Sequence, residues 1–254
     1  EEALPVLDFR QDIPEKEVTL QDIGDVRYIR FHTSDSILLG DHMRLLPCGD
    51  KLFFYDRRGG DVLGFDKDGN SLGRFNHKGQ GADEYTGIYY FAFDQEKAEV
   101  FICAPKRIQV YGMDGRYKLY AISPSRELVP MFARLPLTKE KDGKIGCALM
   151  AATSRIMLVD AVFLKDEGMN QLKRQLYVYD INKKSPAVGS LVNVEFEGYN
   201  NQYPVVSDNK LYFILYPHVL LEAKENHKLS GKLLEITETL DEEDNPVLVE
   251  VELY

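Results

Sequence analysis

Short apolar runs separated by polar turns dominate the chain from Val18 onward, and strict alternation recurs in residues 26–31 (VRYIRF) and 247–254 (VLVEVELY). Runs of that length, rich in Val, Ile, Phe and Tyr and bounded by Gly, Asp, Asn or Pro, predict β-strands. The pattern is most legible where it is written twice. Residues 51–75 (KLFFYDRRGGDVLGFDKDGNSLGRF) and 99–122 (EVFICAPKRIQVYGMDGRYKLYAI) each run strand, polar turn, strand with an aromatic, Asp-Gly, strand. Phe65, Asp68 and Gly69 return 46 residues later as Tyr111, Asp114 and Gly115. A period of roughly 40–50 residues with several strands per unit predicts a β-propeller.

Followed along the chain, this pattern places a first blade at 43–47, 51–55, 61–65 and 71–75, and a second at 88–93, 99–104, 107–111 and 117–122. A third reads from 144–151, 155–163, 176–181 and 188–194, with a polar insertion at 165–175. A fourth begins at 203–206 and 211–216 and continues through 219–221. One helix is expected over 228–241, where Leu229, Leu233, Ile236 and Leu240 form a single apolar stripe. The final strand, paired with N-terminal strands at 18–20 and 26–31, would close a ring and remove open sheet edges. The expected fold is therefore all-β: a β-propeller of four-stranded antiparallel blades, five or six in number, with one C-terminal helix. Residues 1–16 read as a polar leader and 17–254 as a single propeller domain.

Composition narrows the function classes. A formal charge of −10 over 254 residues argues against a general nucleic-acid binder, whose affinity rests on neutralising phosphates. No apolar run approaches the ~20 residues of a transmembrane helix. Cys48, Cys103 and Cys147 lie far apart without metal-ligand spacing and read as strand residues packing as small hydrophobes. Asp66 to Asn70 looks like part of a calcium loop, but Gly64 and Phe75 fall where ligating carboxylates are required, so Asp-Gly is read as a hairpin turn. Neither a metal nor a cofactor is expected, and no catalytic residue can be nominated from spacing.

The candidate chemistry lies in the turns. On one face the second-to-third-strand turns carry Arg57, Arg58, Lys106 and Arg107, and the loop between the first two blades adds His77 and Lys78 beside Glu84 and Tyr85. Turns on the opposite face carry Asp66, Asp68, Asp94, Glu96 and Asp114. Cations gathered on one rim of an acidic chain make an anion-attracting surface; ordinary solvated turns are the alternative. Tyr216 and His218, at a strand end of the fourth blade, supply aromatic surface that could stack on sugar rings. The loop 79–85 also reads as a staple between blades, since Gly79 and Gly81 suit tight backbone and Tyr85 could pack between sheets.

Three stretches carry a family likeness. They are LQDIGDVRYIRF at 20–31, the loop GQGADEY at 79–85, and EDNPVL at 243–248. In these the chain resembles the NHL-like six-bladed β-propeller proteins exported as lipoproteins by Bacteroidetes, a group that includes domains of unknown function. The resemblance implies an extracytoplasmic protein in the periplasm or outer membrane, with a lipid anchor outside the given chain. The expected function is non-enzymatic binding of a ligand or partner, an anionic glycan or an envelope protein, on the basic and aromatic loop face. The alternative is a glycan hydrolase or lyase with carboxylates and Tyr at the channel mouth.

Overall fold

A computed structural model describes residues 12–32, 37–104, 107–122, 138–140, 143–164, 172–201 and 203–254. They form five β-sheets, mostly antiparallel, with three helices among the described residues.

The chain enters through β1 (Val18–Thr19), a one-turn helix α1 (Leu20–Ile23) and β2 (Gly24–Arg30). The expected strand through residue 20 stops early because the Thr19 hydroxyl accepts the Asp22 N–H and caps a helical turn. That turn buries Leu20 and Ile23 on one side.

The doubled segment forms two four-stranded sheets. The first contains β3 (Arg44–Cys48), β4 (Lys51–Tyr55), β5 (Asp61–Asp66) and β6 (Ser71–Asn76), and the second β7 (Tyr90–Asp94), β8 (Glu99–Ala104), β9 (Arg107–Gly112) and β10 (Tyr117–Ile122). Strand side chains alternate between faces, and here both faces are covered. Leu52, Phe54, Leu63 and Phe65 pack into one cluster with Ile29, Phe31 and Leu248, whereas Phe53 and Val62 face Phe91, Val100 and Tyr111 of the second sheet. This explains why LFFY, after Lys51, is a continuous apolar run instead of alternating. Between β5 and β6 the expected Asp-Gly turn forms, with the Asp66 carboxylate accepting the N–H groups of Asp68 and Asn70, each at 2.9 Å.

The third sheet is five-stranded, made of β11 (Thr138–Glu140), β12 (Gly143–Ala152), β13 (Ile156–Leu164), β14 (Leu172–Asp180) and β15 (Ser185–Val188). Its expected last strand at 188–194 is split. Leu191–Val192 forms β16, which leaves this sheet to lie between β1 and β17 (Asn200–Asn201).

The last sheet joins the two ends of the described chain. β18 (Val205–Ser207), β19 (Lys210–Leu215), β20 (Val247–Leu253) and β2 pair in that order, with β2 in register against β20 from Gly24–Leu253 to Arg30–Val247. The expected pairing of N- and C-terminal strands is present for β2, whereas β1, expected against the final strand as well, pairs with β16 instead. The fourth blade and this closing sheet, read separately from the sequence, are one sheet. The third strand expected at 219–221 is instead part of α2 (Pro217–Glu225). Pro217 supplies a preset φ and needs no N–H at the helix start, and Leu220 with Ala223 buries one side. The C-terminal stripe is helical only over α3 (Gly231–Glu238); Leu229 bridges to Phe196 before it, and Leu240 lies beyond its end. Thus a helical pair connects β19 to β20 where the first two sheets have short turns.

Candidate functional site: a basic cleft beside the first two sheets

The turn between β4 and β5 is DRRGG, and Asp56 organises it. Its carboxylate accepts the Arg58 N–H at 2.8 Å, while its carbonyl accepts the Gly60 N–H at 3.0 Å. With Asp56 folded inward and only 14% exposed, Arg57 and Arg58 project into solvent. Burial by itself would raise the Asp56 pKa; the N–H groups of Gly59 and Arg58 and the nearby His42 ring outweigh it and hold the carboxyl below its ordinary value.

A second wall is the loop after β6. The N–H of Lys78 bonds to the Asn76 side chain at 2.9 Å, and Lys78 pairs with Tyr85 across the loop as an isolated bridge. A third wall comes from the residues before β7. The Ile88 N–H donates to the Arg57 carbonyl at 3.1 Å, which brings the half-exposed Tyr89 ring beneath the Arg57 guanidinium, 5.9 Å from the ring centroid. His42 and Arg44, at the start of β3, complete an open cleft of about 770 Å³.

Most cations elsewhere on the described surface are paired, and those of this cleft are not. Arg27, Arg30, Lys51, Arg74, Lys118 and Lys210 each have a carboxylate partner. Among the described residues Arg44, Arg58 and Lys78 form no ion pair, and the Arg57 guanidinium meets only the Tyr89 ring. The one carboxylate among the lining residues, Asp56, is already committed to its own turn and to His42. Unpaired cations around a single satisfied acid leave a net positive concavity in an acidic chain.

Of the residues nominated from the sequence, Arg57, Arg58 and Lys78 come together here. His77, Glu84 and Tyr85 serve the loop behind them. The His77 ring stacks on Tyr111 at 5.0 Å with Nε2 2.7 Å from the Gly115 carbonyl, and the Glu84 carboxylate accepts the Gly81 N–H at 2.8 Å. Tyr85 is 0% exposed. Tyr216 and His218 stack on each other at the start of α2, outside the cleft lining, although the Tyr216 hydroxyl donates to the Asp41 carbonyl next to His42 at 3.3 Å. Lys106 lies outside the described residues, as does the side chain of Arg107, whose backbone pairs with Ala104. Sequence reasoning missed His42, Arg44 and Tyr89. The available signal was positional: the start of a first strand lies on the same face as the turn between the second and third strands, so Arg44 and Tyr89 belong to the rim that Arg57 and Arg58 define.

No helix among the described residues is long and apolar enough to cross a membrane. No curated protein matches the chain. Among solved structures, the chain is similar to a Bacteroides fragilis protein inferred to be exported, with 14% identity, a TM-score of 0.63, and coverage of 95% of this chain and 98% of that one. The two share a fold. Matches to the SREBP–SCAP binding domains of fission yeast (8% identity, TM-score 0.28, covering 74% and 43% of the two chains) and to the tricorn protease (15%, 0.25, covering 68% and 15%) are too loose to support any argument. A family model described as "Domain of unknown function (DUF4934)" matches residues 4–135, just over half of the chain and the whole of the basic cleft. The chain belongs to the DUF4934 family.

Proposed function

We propose that this protein is an extracytoplasmic, non-enzymatic β-propeller that binds an anionic ligand, a glycan or an acidic surface of an envelope protein, in the cleft formed by His42, Arg44, Arg57, Arg58, Lys78 and Tyr89. One observation carries the reading: the cations that line this cleft are unpaired, whereas most cations elsewhere on the described surface are paired. These cations are solvent-exposed, and like charges gathered in one concavity without counter-charges raise its positive potential and attract an anion from outside. The Tyr89 ring adds an apolar face on which a sugar ring can rest.

Support for a propeller comes from the successive four-stranded sheets in chain order, their face-to-face packing, and the closure of β20 against β2. In this reading residues 17–254 form one domain preceded by a leader. Support for export comes from the Bacteroides fragilis protein of the same fold; a lipid anchor ahead of the given chain belongs to the same proposal. Glycoside hydrolysis calls for two carboxylates roughly 5–10 Å apart. The described lining offers one, Asp56, already engaged, which favours binding over hydrolysis.

The test is calorimetric titration of the protein with sulfated and uronate oligosaccharides across a salt series. Arg57→Ala/Arg58→Ala, at two exposed positions, should weaken binding at least tenfold and flatten its salt dependence while leaving the melting curve unchanged. Unaltered affinity in that variant would overturn the proposal.

A further inference from the structure

The cations of the cleft are rooted on two separate stretches of chain, and one buried hydroxyl joins them. The Tyr85 hydroxyl donates to the Gly60 carbonyl at 2.6 Å and accepts the His77 N–H at 3.0 Å. Gly60 closes the turn that carries Arg57 and Arg58; His77 precedes Lys78. On the outer side Asn76 repeats the connection, its Nδ2 donating to the Gly59 carbonyl at 3.0 Å while its Oδ1 accepts the Lys78 N–H at 2.9 Å. The two stretches are also in direct contact. Gly60 has φ +86°, and a Cβ there would stand 2.8 Å from the Lys78 Cβ and 3.2 Å from the Tyr85 ring.

Tyr85 is itself held firmly. Its ring meets Tyr111 edge-on at 5.7 Å, the Tyr111 hydroxyl donates to the Asp83 carbonyl at 2.8 Å, and Gln109 donates to the Glu84 carbonyl at 2.7 Å. Burial pushes the phenol up to about 12, so it remains a proton donor at any physiological pH. A merely adhesive rim of charges, attracting anions by density alone, needs none of this. A cleft that must match a set spacing does, because groups held in place before binding lose less freedom when the ligand arrives.

Resting on the anion-binding reading above, we infer that Tyr85 and Asn76 are positioning residues that fix the Arg57–Arg58 turn against the Lys78 loop, so that the cleft selects a rigid ring compound bearing several anionic groups over a flexible chain of equal charge. The probes are myo-inositol hexakisphosphate as the rigid ring and a linear hexaphosphate as the flexible chain, titrated at matched ionic strength. The wild type should prefer the ring. Tyr85→Phe and Asn76→Ala, each removing two hydrogen bonds of this brace, should each cost about three- to tenfold in affinity for the ring, and much less for the linear chain, with the salt slope unchanged. If Tyr85→Phe fails to fold, Asn76→Ala, at an exposed residue, carries the test.

Equal losses for both probes, or none for either, would overturn the positioning role. If Arg57→Ala/Arg58→Ala abolishes binding while the two positioning variants behave as wild type, this inference fails and the anion-binding reading stands. If the wild type binds neither probe, or the arginine variant binds both as well as wild type, the anion-binding reading fails first.

Discussion

The His42 imidazole lies 3.2 Å from the Asp56 carboxylate, tying the start of β3 to the turn between β4 and β5. On its other side the ring is 3.4 Å from Asp41. The contact places one acid inside an otherwise basic cleft, where it both orders the turn and opposes an incoming anion.

Asp56→Asn keeps an acceptor for the Arg58 N–H but removes the opposing charge. Anion binding should tighten by up to roughly 1 kcal/mol, the scale of a partly solvated charge pair. Titration of the variant beside the wild type at low salt measures it, and weaker binding would show that the carboxylate helps to hold the ligand.

The same residue sets a pH dependence. Its pKa is lower in the folded chain than in the unfolded one, so the stability it confers is complete above the unfolded value of about 4 and is lost as pH falls through the lower, folded value. Denaturant unfolding between pH 2 and 6 should show the wild type losing stability more steeply than Asp56→Asn below about pH 4. Parallel curves would mean that the carboxylate is not stabilised by folding.

Leu248 in β20 is fully buried and packs with Ile29, Phe31, Leu45, Phe54 and Phe65, so it joins the closing sheet to the first. Leu248→Ala should cost about 2–5 kcal/mol through lost burial and the cavity left behind. A thermal or urea melt reads this directly, and a cost below about 1 kcal/mol would mean that the two sheets do not depend on this contact.

Gly69 sits at φ +86° in the β5–β6 turn, and a Cβ there would come within 2.3 Å of the Arg30 carbonyl. Its own carbonyl accepts the His32 N–H at 3.2 Å, so the turn is docked on the end of β2. Gly69→Ala should therefore destabilise by more than the ~1 kcal/mol of backbone preference alone, because relieving the clash also breaks the docking. Unfolding at equilibrium checks the magnitude.

Glu250 is buried at the centre of β20, 3.1 Å from Arg27 and 3.3 Å from Lys210. Removing it leaves two cations without this shared partner. Glu250→Ala should cost roughly 1–3 kcal/mol, less than a fully buried pair because Arg27 is partly solvated. Glu250→Gln should recover part of that by keeping hydrogen-bond acceptors. Equal stabilities of the two variants would point to packing as the only contribution.

The first two sheets were readable because their information is local. Alternating apolar positions, Asp-Gly turns and a 46-residue repeat act within a few residues of one another, and each has a backbone cause. The helical turn at Leu20–Ile23 and α2 were less legible. PHVLL is a short apolar run that suits strand or helix equally, and only Pro217 at its head favours the helix. Arg57, Arg58 and Lys78 were legible as cations in loops. That His77, Glu84 and Tyr85 build the loop while His42, Arg44 and Tyr89 line the cleft depends on which way each side chain points, and loop residues carry no periodicity from which to read it.

By itself, then, the sequence determined an all-β chain, the strand positions of the doubled segment, the turn chemistry, and a basic bias on one set of turns. Only the tertiary structure decided that Leu191–Val192 crosses to β1, that β18 and β19 join β20 and β2 in one sheet, and that Tyr85 works from inside the core. The physical reason is the range of the forces involved. Backbone preference and alternation act between near neighbours, whereas strand partnership and the placing of the cleft's cations are settled by which faces meet across 25 or even more than 200 residues of chain.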